Sequence, residues 1–310
     1  MSRRLDIGIA SYGSPARLGA CLRSIGAHSV TDYRVFVIHN PGTAEDAAAR
    51  RVIEHERAKN PRIIPIWQDL NTGYVGAVNK LFQLAESEYV GYCDNDIEIL
   101  TPGWDERLIS IMEANPEVGW TFPGPGHYGF ENGRYRECLW NAGYCWILRR
   151  SAQSGMAAES PLRYGGGGPG LFDSALGHHE EVDFMIRLRL AGWRVACDKG
   201  VNVHHHETAT NGSEAAHKPG GRIHDGVVRW MNKWNHYFCG HGLQYSMTAY
   251  DPHALRYTDW NVDALYLERM TLHYFPAWNA KPEIVVVPGI GEMEAVKILK
   301  PKGCYAGRAI

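Results

Sequence analysis

No stretch of this 310-residue chain approaches the run of roughly 20 apolar residues that a membrane helix needs. No CxxC pair is present either. The seven cysteines, at 21, 93, 138, 145, 197, 239 and 304, are scattered and odd in number. That spacing argues against a disulfide framework and for the reduced thiols of an intracellular protein. Neither sign of charge is in excess: 32 Lys plus Arg stand against 34 Asp plus Glu, a formal net charge of −2. A global basic field for non-specific nucleic-acid binding is thereby excluded, although a local basic groove is not. The opening MSRRLDIGIASYGS has basic residues but lacks the apolar stretch and small-residue cleavage site of a signal peptide. The expectation is a soluble, cytoplasmic protein without stable membrane insertion. Internal repeats and low-complexity linkers are absent as well. What is there is a chain 45% hydrophobic and 11% aromatic, able to bury about three quarters of its unfolded surface without a staple. Its length suits two domains of roughly 150 residues or one enlarged α/β domain.

The first 120 residues alternate strand and helix signals. Leu5–Ala10 is a short apolar run, closed by a Ser-Tyr-Gly-Ser-Pro turn that opens a helix through Ile25. Tyr33–His39 reads as a second strand, Ala44–Asn60 as a surface helix and Arg62–Gln68 as a third strand, placed at an edge by Pro65. Val75–Ser87 is helical and Tyr89–Cys93 is a fourth strand. Such alternation indicates βαβ units and a largely parallel sheet, whose ligands sit beyond the carboxyl ends of the strands. Those ends carry Ser11-Tyr12, His39-Asn40, Asp69-Leu70-Asn71 and Asp94-Asn95-Asp96. After about residue 120 the pattern loosens, with turn-rich stretches at 123–126 and 165–170. A helix over Glu180–Ala191 then stops at Gly192 and gives way to a strand over Trp193–Cys197. From about 243 the chain is rich in Tyr and Trp, without periodicity until Glu283–Pro288.

Four segments bear chemistry. Asp94 and Asp96, at i and i+2 on a strand end, can share a hard divalent cation whose shell diphosphate oxygens complete; the plainer reading is a solvated acidic turn. Asn71 to Lys80 joins a strand end to a helix with glycines that let a ligand approach the backbone, yet it is neither a Walker loop nor a dinucleotide fingerprint. Glu180, Glu181 and Asp183 open a helix, where acidic groups often only complement the dipole. Asp183 and Arg187, at i and i+4, can form a helix-surface pair, but three carboxylates in four residues can also supply a general base. His204, His205 and His206 follow a strand-like Val-Asn-Val. Alternation puts His204 and His206 on one face and His205 on the other, and one His with two carboxylates makes a site for manganese or zinc. The glycines at 165–168 are either a substrate loop or a plain surface loop. The rings of Trp140, Tyr144, Trp146, Tyr164, Trp230 and Trp234 can stack on sugars or nucleobases, although rings more commonly fill cores.

In order and together, these elements resemble the inverting, GT-A-fold glycosyltransferases of the large family 2 type that build bacterial and phage surface sugars. The resemblance runs from residue 5 to about 240, through IASYGSPARLGACLRSI, NTGYVGAVNK, the DND triplet, GLFDSALGHHEEVDFMIRLRLAGWRV, the histidines and RWMNKWN. It implies an α/β, Rossmann-like GT-A domain over 1–240, with a nucleotide-binding half (1–120), an acceptor-side half (121–240), and a C-terminal extension (241–310) of unknown role. The implied activity is metal-dependent transfer of a hexose or pentose from a nucleotide-diphosphate sugar, UDP-linked first and GDP-linked second, to an acceptor hydroxyl. Asp96, with Asp94, would hold manganese or magnesium; Asp94 would alternatively contact the donor ribose. The third protein ligand would be a histidine, His205 by alignment, with His204 and His206 left open by strand geometry. Ser11, Tyr12 and Asn40 would line the base and ribose site, closed by Asn71, Gly73 and Asn79 or Lys80. Glu181 matches the catalytic base, with Glu180 and Asp183 as alternatives. Two departures stand out: His39 occupies the strand end where Asp is usual, and Glu181 is one methylene longer than the usual Asp. The acceptor implied is a lipid-linked or surface glycan, or a hydroxymethylated nucleobase in phage DNA; a homo-oligomer is left open. The competing readings are a metal-dependent hydrolase, for which the HExxH spacing is missing, and a non-catalytic nucleotide-sugar-binding module.

Overall fold

The computed structural model describes residues 4–124, 130–132, 135–138, 141–159, 170–206, 225–226, 229–230, 282–287 and 291–296. They fall into two compact units. The first takes in the described residues of Met1–Pro161, Gly166–Ser174 and Glu180–Gly212; the second takes in those of Leu162–Gly165, Ala175–His179 and Ser213–Ile310. The glycine run at 165–168 and the rings of Trp140, Tyr164 and Trp234 lie outside the described residues, as does most of the stretch from 241 onward.

The first unit begins β1 (Leu5–Ser11), α1 (Pro15–His28), β2 (Tyr33–His39), α2 (Asp46–Lys59), β3 (Ile63–Trp67), α3 (Gly73–Leu84), β4 (Tyr89–Asp94) and β5 (Ile97–Ile99). It continues with α4 (Trp104–Ala114), β6 (Val118–Pro123), β7 (Phe130–Asn132), β8 (Tyr135–Glu137), β9 (Cys145–Arg149) and α5 (Arg150–Glu159). It closes with α6 (Glu180–Leu190), β10 (Arg194–Asp198) and β11 (Val203–His205). Nine strands form one sheet in the order β3-β2-β1-β4-β9-β6-β10-β8-β7. The first four are mutually parallel, and β9 is inserted antiparallel between β4 and β6. Pro65 sits in β3, an edge strand, where its missing N–H leaves no gap in the ladder.

The apolar runs are continuous because the sheet is covered on both faces. Leu5, Ile7 and Ile9 of β1 share one core with Leu18, Cys21, Leu22 and Ile25 of α1 and with Leu108, Ile109 and Met112 of α4. Phe36, Ile38, Val90 and Tyr92 face the opposite way, into a second core with α3, Trp120, Trp146, Phe172 and Phe184. Each fully buried aliphatic or aromatic side chain contributes about 1.5–3 kcal/mol of transfer free energy. Gly8 faces α3, and a Cβ there would stand 2.5 Å from Leu81 Cδ2, so the closeness of helix to strand depends on that glycine. Trp146 is fully buried in this second core, stacked near Tyr92 and Phe172; it fills space rather than lining a cleft.

The strand order places β2 and β3 on one side of β1 and β4 on the other. The chain therefore switches direction between β1 and β4, and their carboxyl ends open the crevice in which α/β sheets take ligands. Just beyond β4, β5 pairs antiparallel with β11, with His204 opposite Glu98 and His205 opposite Ile97. That ribbon carries the histidines back to the acidic triplet. Among the described residues no helix is long and apolar enough to cross a membrane. In the second unit β12 (Pro282–Val287) and β13 (Gly291–Val296) form an antiparallel pair. Trp230 is buried there, its ring edge-on to His179 at 5.3 Å.

Candidate metal and catalytic site

Asp94 is the last residue of β4, and the turn after it brings Asp96 onto the start of β5. The His206 N–H donates to the Asp96 carbonyl at 2.9 Å, locking the register of the ribbon so that His205 faces the two carboxylates. His205 Nε2 stands 3.3 Å from Asp96 and 3.8 Å from Asp94. One ligand atom from each of Asp94, Asp96 and His205 lies within 4.8 Å of the others. Donors about 3 Å apart are what neighbouring ligands present to a six-coordinate cation with bonds of about 2.0–2.1 Å. Two carboxylates and one imidazole suit manganese, magnesium or zinc, so the residues present fit a divalent cation.

Of the three histidines, then, only His205 joins the carboxylates. His204 and His206 project to the other face of the ribbon, where their rings meet edge-on at 4.2 Å and His206 Nε2 contacts Glu98 Oε1 at 2.7 Å. Strand alternation separates them from the cluster. They are removed from the ligand set.

Two tyrosines support the cluster: Tyr92, which no motif in the sequence marks, and Tyr144, expected there only as a ring for stacking on a ligand or filling the core. The Tyr92 hydroxyl donates to Asp94 Oδ1 at 2.8 Å, and the Tyr144 ring stacks on His205 at 4.9 Å. Tyr92 lies two residues before Asp94 on the same strand, so period-two reasoning applied to β4 could have found it; no local signal marks Tyr144. Asp94 keeps about a third of its side chain open (32%). It is enclosed enough, however, for burial, with Asp96 adding, to push its carboxyl up to about 7 against the Tyr92 hydrogen bond and the nearby His205. A carboxyl so raised gains from a neighbouring positive charge.

Glu181 lies in the first turn of α6. Its Cγ would stand 3.2 Å from a Cβ at Gly143, and the Tyr74 hydroxyl 3.1 Å from the same point, so Gly143 leaves the room in which both side chains meet. Burial first, then Glu180 and Asp94, raises Glu181 to about 8. Glu180 is itself buried beside it. Asp183 is different: fully buried, it accepts a hydrogen bond from Arg187 Nε at 2.9 Å, while Arg187 Nη2 donates to the Leu171 carbonyl at 2.7 Å. The i,i+4 pair expected on a helix surface is therefore a buried ion pair, and Asp183 is committed to it rather than offered as a base.

The nucleotide-side residues also divide. Ser11 is buried, with its hydroxyl 3.4 Å from His39 Nδ1. Burial, with Arg50 acting in the same sense, lowers the His39 pKa and keeps the imidazole neutral. Tyr12 is exposed (46%), and its carbonyl accepts from the Asn95 amide at 3.3 Å. Asn40 Oδ1 accepts from Gln68 Nε2 at 2.6 Å and from the Thr72 N–H at 3.1 Å, and Nδ2 donates to the Gly73 carbonyl at 3.3 Å. Its amide thus staples strand end to loop. Asn71 Oδ1 accepts from the Gly73 N–H at 2.8 Å, closing an Asx turn, and Gly73 itself takes a left-handed φ of 68°. Asn79 grips the Phe172 backbone with both amide atoms, at 3.0 and 2.8 Å. Lys80, half-buried, follows it on α3.

A family model described as Glycosyl transferase family 2 matches residues 6–160. The uncharacterized glycosyltransferase MJ1057 of Methanocaldococcus jannaschii is 27% identical over 120 residues, covering 38% of this chain and 40% of that protein. Among solved structures, GalNAc-T7 with UDP, GalNAc and Mn2+ superposes with a TM-score of 0.58 at 12% identity, over 88% of this chain and 54% of the other. The mannosyltransferase PcManGT of Pyrobaculum calidifontis, in complex with GDP-Man and Mn2+, gives 0.53 at 12% identity, over 89% and 75%. S. aureus TarS gives 0.51 at 14% identity, over 94% and 60%. At such identities the structural likeness concerns the fold, which is of the GT-A type.

Proposed function

The chain belongs to glycosyl transferase family 2, and from that premise we propose that it transfers a sugar from a nucleoside-diphosphate donor to an acceptor hydroxyl with inversion. The observation that carries this reading is the convergence of Asp94, Asp96 and His205 at the switch point of the sheet. A divalent cation held by these three side chains would neutralise the charge that builds on the departing diphosphate. The acceptor oxygen attacks from the opposite face, and its proton passes to Glu181. A carboxylate whose pKa burial has moved to about 8 is well matched to that task near neutral pH. Tyr92 and Tyr144 orient the metal-facing groups, Gly143 gives Glu181 its room, and Ser11, Tyr12, Asn71, Gly73 and Lys80 border the donor.

The donor is a UDP-sugar first and a GDP-sugar second, in line with the UDP held by GalNAc-T7 and the GDP-Man held by PcManGT. The acceptor is a glycan or a lipid-linked sugar, with a hydroxymethylated nucleobase of DNA as the alternative. We read residues 1–240 as the transfer domain and 241–310 as an extension of unassigned role. Among the described residues five cysteines are free and buried, which supports a reducing, cytoplasmic setting.

The test is to incubate the protein with UDP- and GDP-sugars plus manganese and follow release of nucleoside diphosphate. Asp96→Ala and Glu181→Gln are expected to lose turnover while still unfolding in one cooperative transition. Full transfer by Glu181→Gln would sink the base assignment. Intact donor under every condition would leave a nucleotide-sugar-binding module.

A further inference from the structure

Directly behind the metal-facing residues lie two thiols whose arrangement the proposed chemistry does not use. Cys93 of β4 and Cys145 of β9 oppose one another in the antiparallel ladder. The Asp94 N–H donates to the Tyr144 carbonyl at 2.8 Å, which makes 94 and 144 a hydrogen-bonded pair. Cys93 and Cys145 are therefore the adjoining non-hydrogen-bonded pair, the kind that holds its side chains closest. Their sulfurs are 3.8 Å apart and both side chains are fully buried. The plain reading is a pair of small apolar side chains filling core. Three observations go beyond it: the sulfurs touch each other, they occupy the last rung before the 141–144 loop, and β6 pairs with β9 only at Ile147 and Leu148. The Cys145 end of β9 is thus held in the sheet by β4 alone.

We propose that Cys93 and Cys145 form a peroxide-sensitive disulfide site whose closure disables the metal-binding wall in front of it. The step balances as follows. Hydrogen peroxide transfers one oxygen to one thiol, giving a sulfenic acid and a water. The second thiol's sulfur then attacks; the S–S bond forms, the S–O bond breaks, and the oxygen leaves as a second water with the remaining thiol proton. Two electrons pass from the sulfurs to the peroxide. Drawing the sulfurs together shifts the backbone at 93 and 145, and the next residue on each side is functional: Asp94 is a proposed ligand, and Tyr144 stacks on His205 while accepting the Asp94 N–H. Cys21 Sγ, which donates to the Asp94 carbonyl at 3.4 Å, lies against the same wall from α1.

The inference about the wall rests on the metal-site reading; the cross-link itself does not. The full chain is treated with hydrogen peroxide, digested without reductant and mapped by mass. Manganese(II) binding is followed by electron paramagnetic resonance before oxidation, after it, and after reduction. The expected result is a Cys93–Cys145 cross-link two mass units lighter than the dithiol, with manganese affinity falling about tenfold or more and recovering on reduction. Cys145→Ala should bind manganese as wild type does and should keep that affinity in peroxide. Absence of the cross-link, or pairing through Cys21 instead, overturns the site. A cross-link that leaves manganese affinity unchanged overturns its coupling to the wall. Failure of the reduced protein to bind manganese overturns the coupling too and counts against the metal-site reading, while the mass map still decides the cross-link.

Discussion

The carboxyl edge of the sheet presents two sets of polar side chains that look alike along the chain and behave in opposite ways. On the β1–β2–α3 side, Asn40 and Asn79 engage both amide atoms with neighbouring backbone or side chains, and Ser11 turns to a buried, neutral His39. On the β4–β5–β11 side, Asp94, Asp96 and His205 face one another across distances that suit a shared cation better than direct hydrogen bonds. The same division recurs within α6, where Asp183 is neutralised by Arg187 and Glu181 is not. On the first side amides are taken up in holding strand ends and loops together; on the second, two carboxylates and an imidazole are drawn to one point.

Substitutions can break that comparison, and the largest effect belongs to the unsatisfied set. Glu181→Gln should lower kcat by about 10²- to 10⁴-fold, the usual worth of a general base, with the fold retained; steady-state turnover of the donor checks this. In the satisfied set Asp183→Ala strands the buried guanidinium of Arg187 and should cost about 3–5 kcal/mol of stability, read by urea unfolding. Asn79→Ala frees two backbone groups of Phe172 and should cost about 1–3 kcal/mol, without loss of manganese binding. A pH series sharpens the contrast. Because Glu181 is raised from 4.5 to about 8, its contribution to stability is present in full below its unfolded value and is lost as pH rises through about 8. The melting temperature of the wild type should therefore fall relative to that of Glu181→Gln from about pH 4.5 to about pH 8 and level off above it, in the absence of metal. The smallest effect is expected of His206→Ala, which removes a half-exposed pair with Glu98 worth under about 1 kcal/mol and should leave manganese affinity unchanged, unlike His205→Ala.

Much of this architecture can be read from the chain because β1 to β4 are covered on both faces and so appear as unbroken apolar runs, while Pro65 marks an edge. The elements after β5 are harder to read. In α4 the buried Asp105 accepts from the N–H groups of Val30 and Thr31 and from the Thr31 hydroxyl, so a charge sits where the helical pattern calls for an apolar residue. Strand β9 runs directly into α5 with no turn residue between Arg149 and Arg150, so no punctuation separates them. The acidic triplet and the histidine run are legible as a site, and alternation sets His205 apart from its neighbours. Which face meets Asp94 is decided by the register of β11 on β5, a pairing about a hundred residues apart in sequence. The clasp of Asn79 on Phe172, 93 residues away, is hidden for the same reason.

The central claim is that Asp94, Asp96 and His205 hold a divalent cation that in turn receives a nucleoside diphosphate. A melting-temperature panel with UDP, GDP, CDP and dTDP, each with and without manganese, tests it most directly, since a ligand that binds only the native state raises its stability. The account predicts stabilisation by one diphosphate only when manganese is present, and its loss in Asp96→Ala. Equal shifts without manganese, or no shift with any diphosphate, would contradict it.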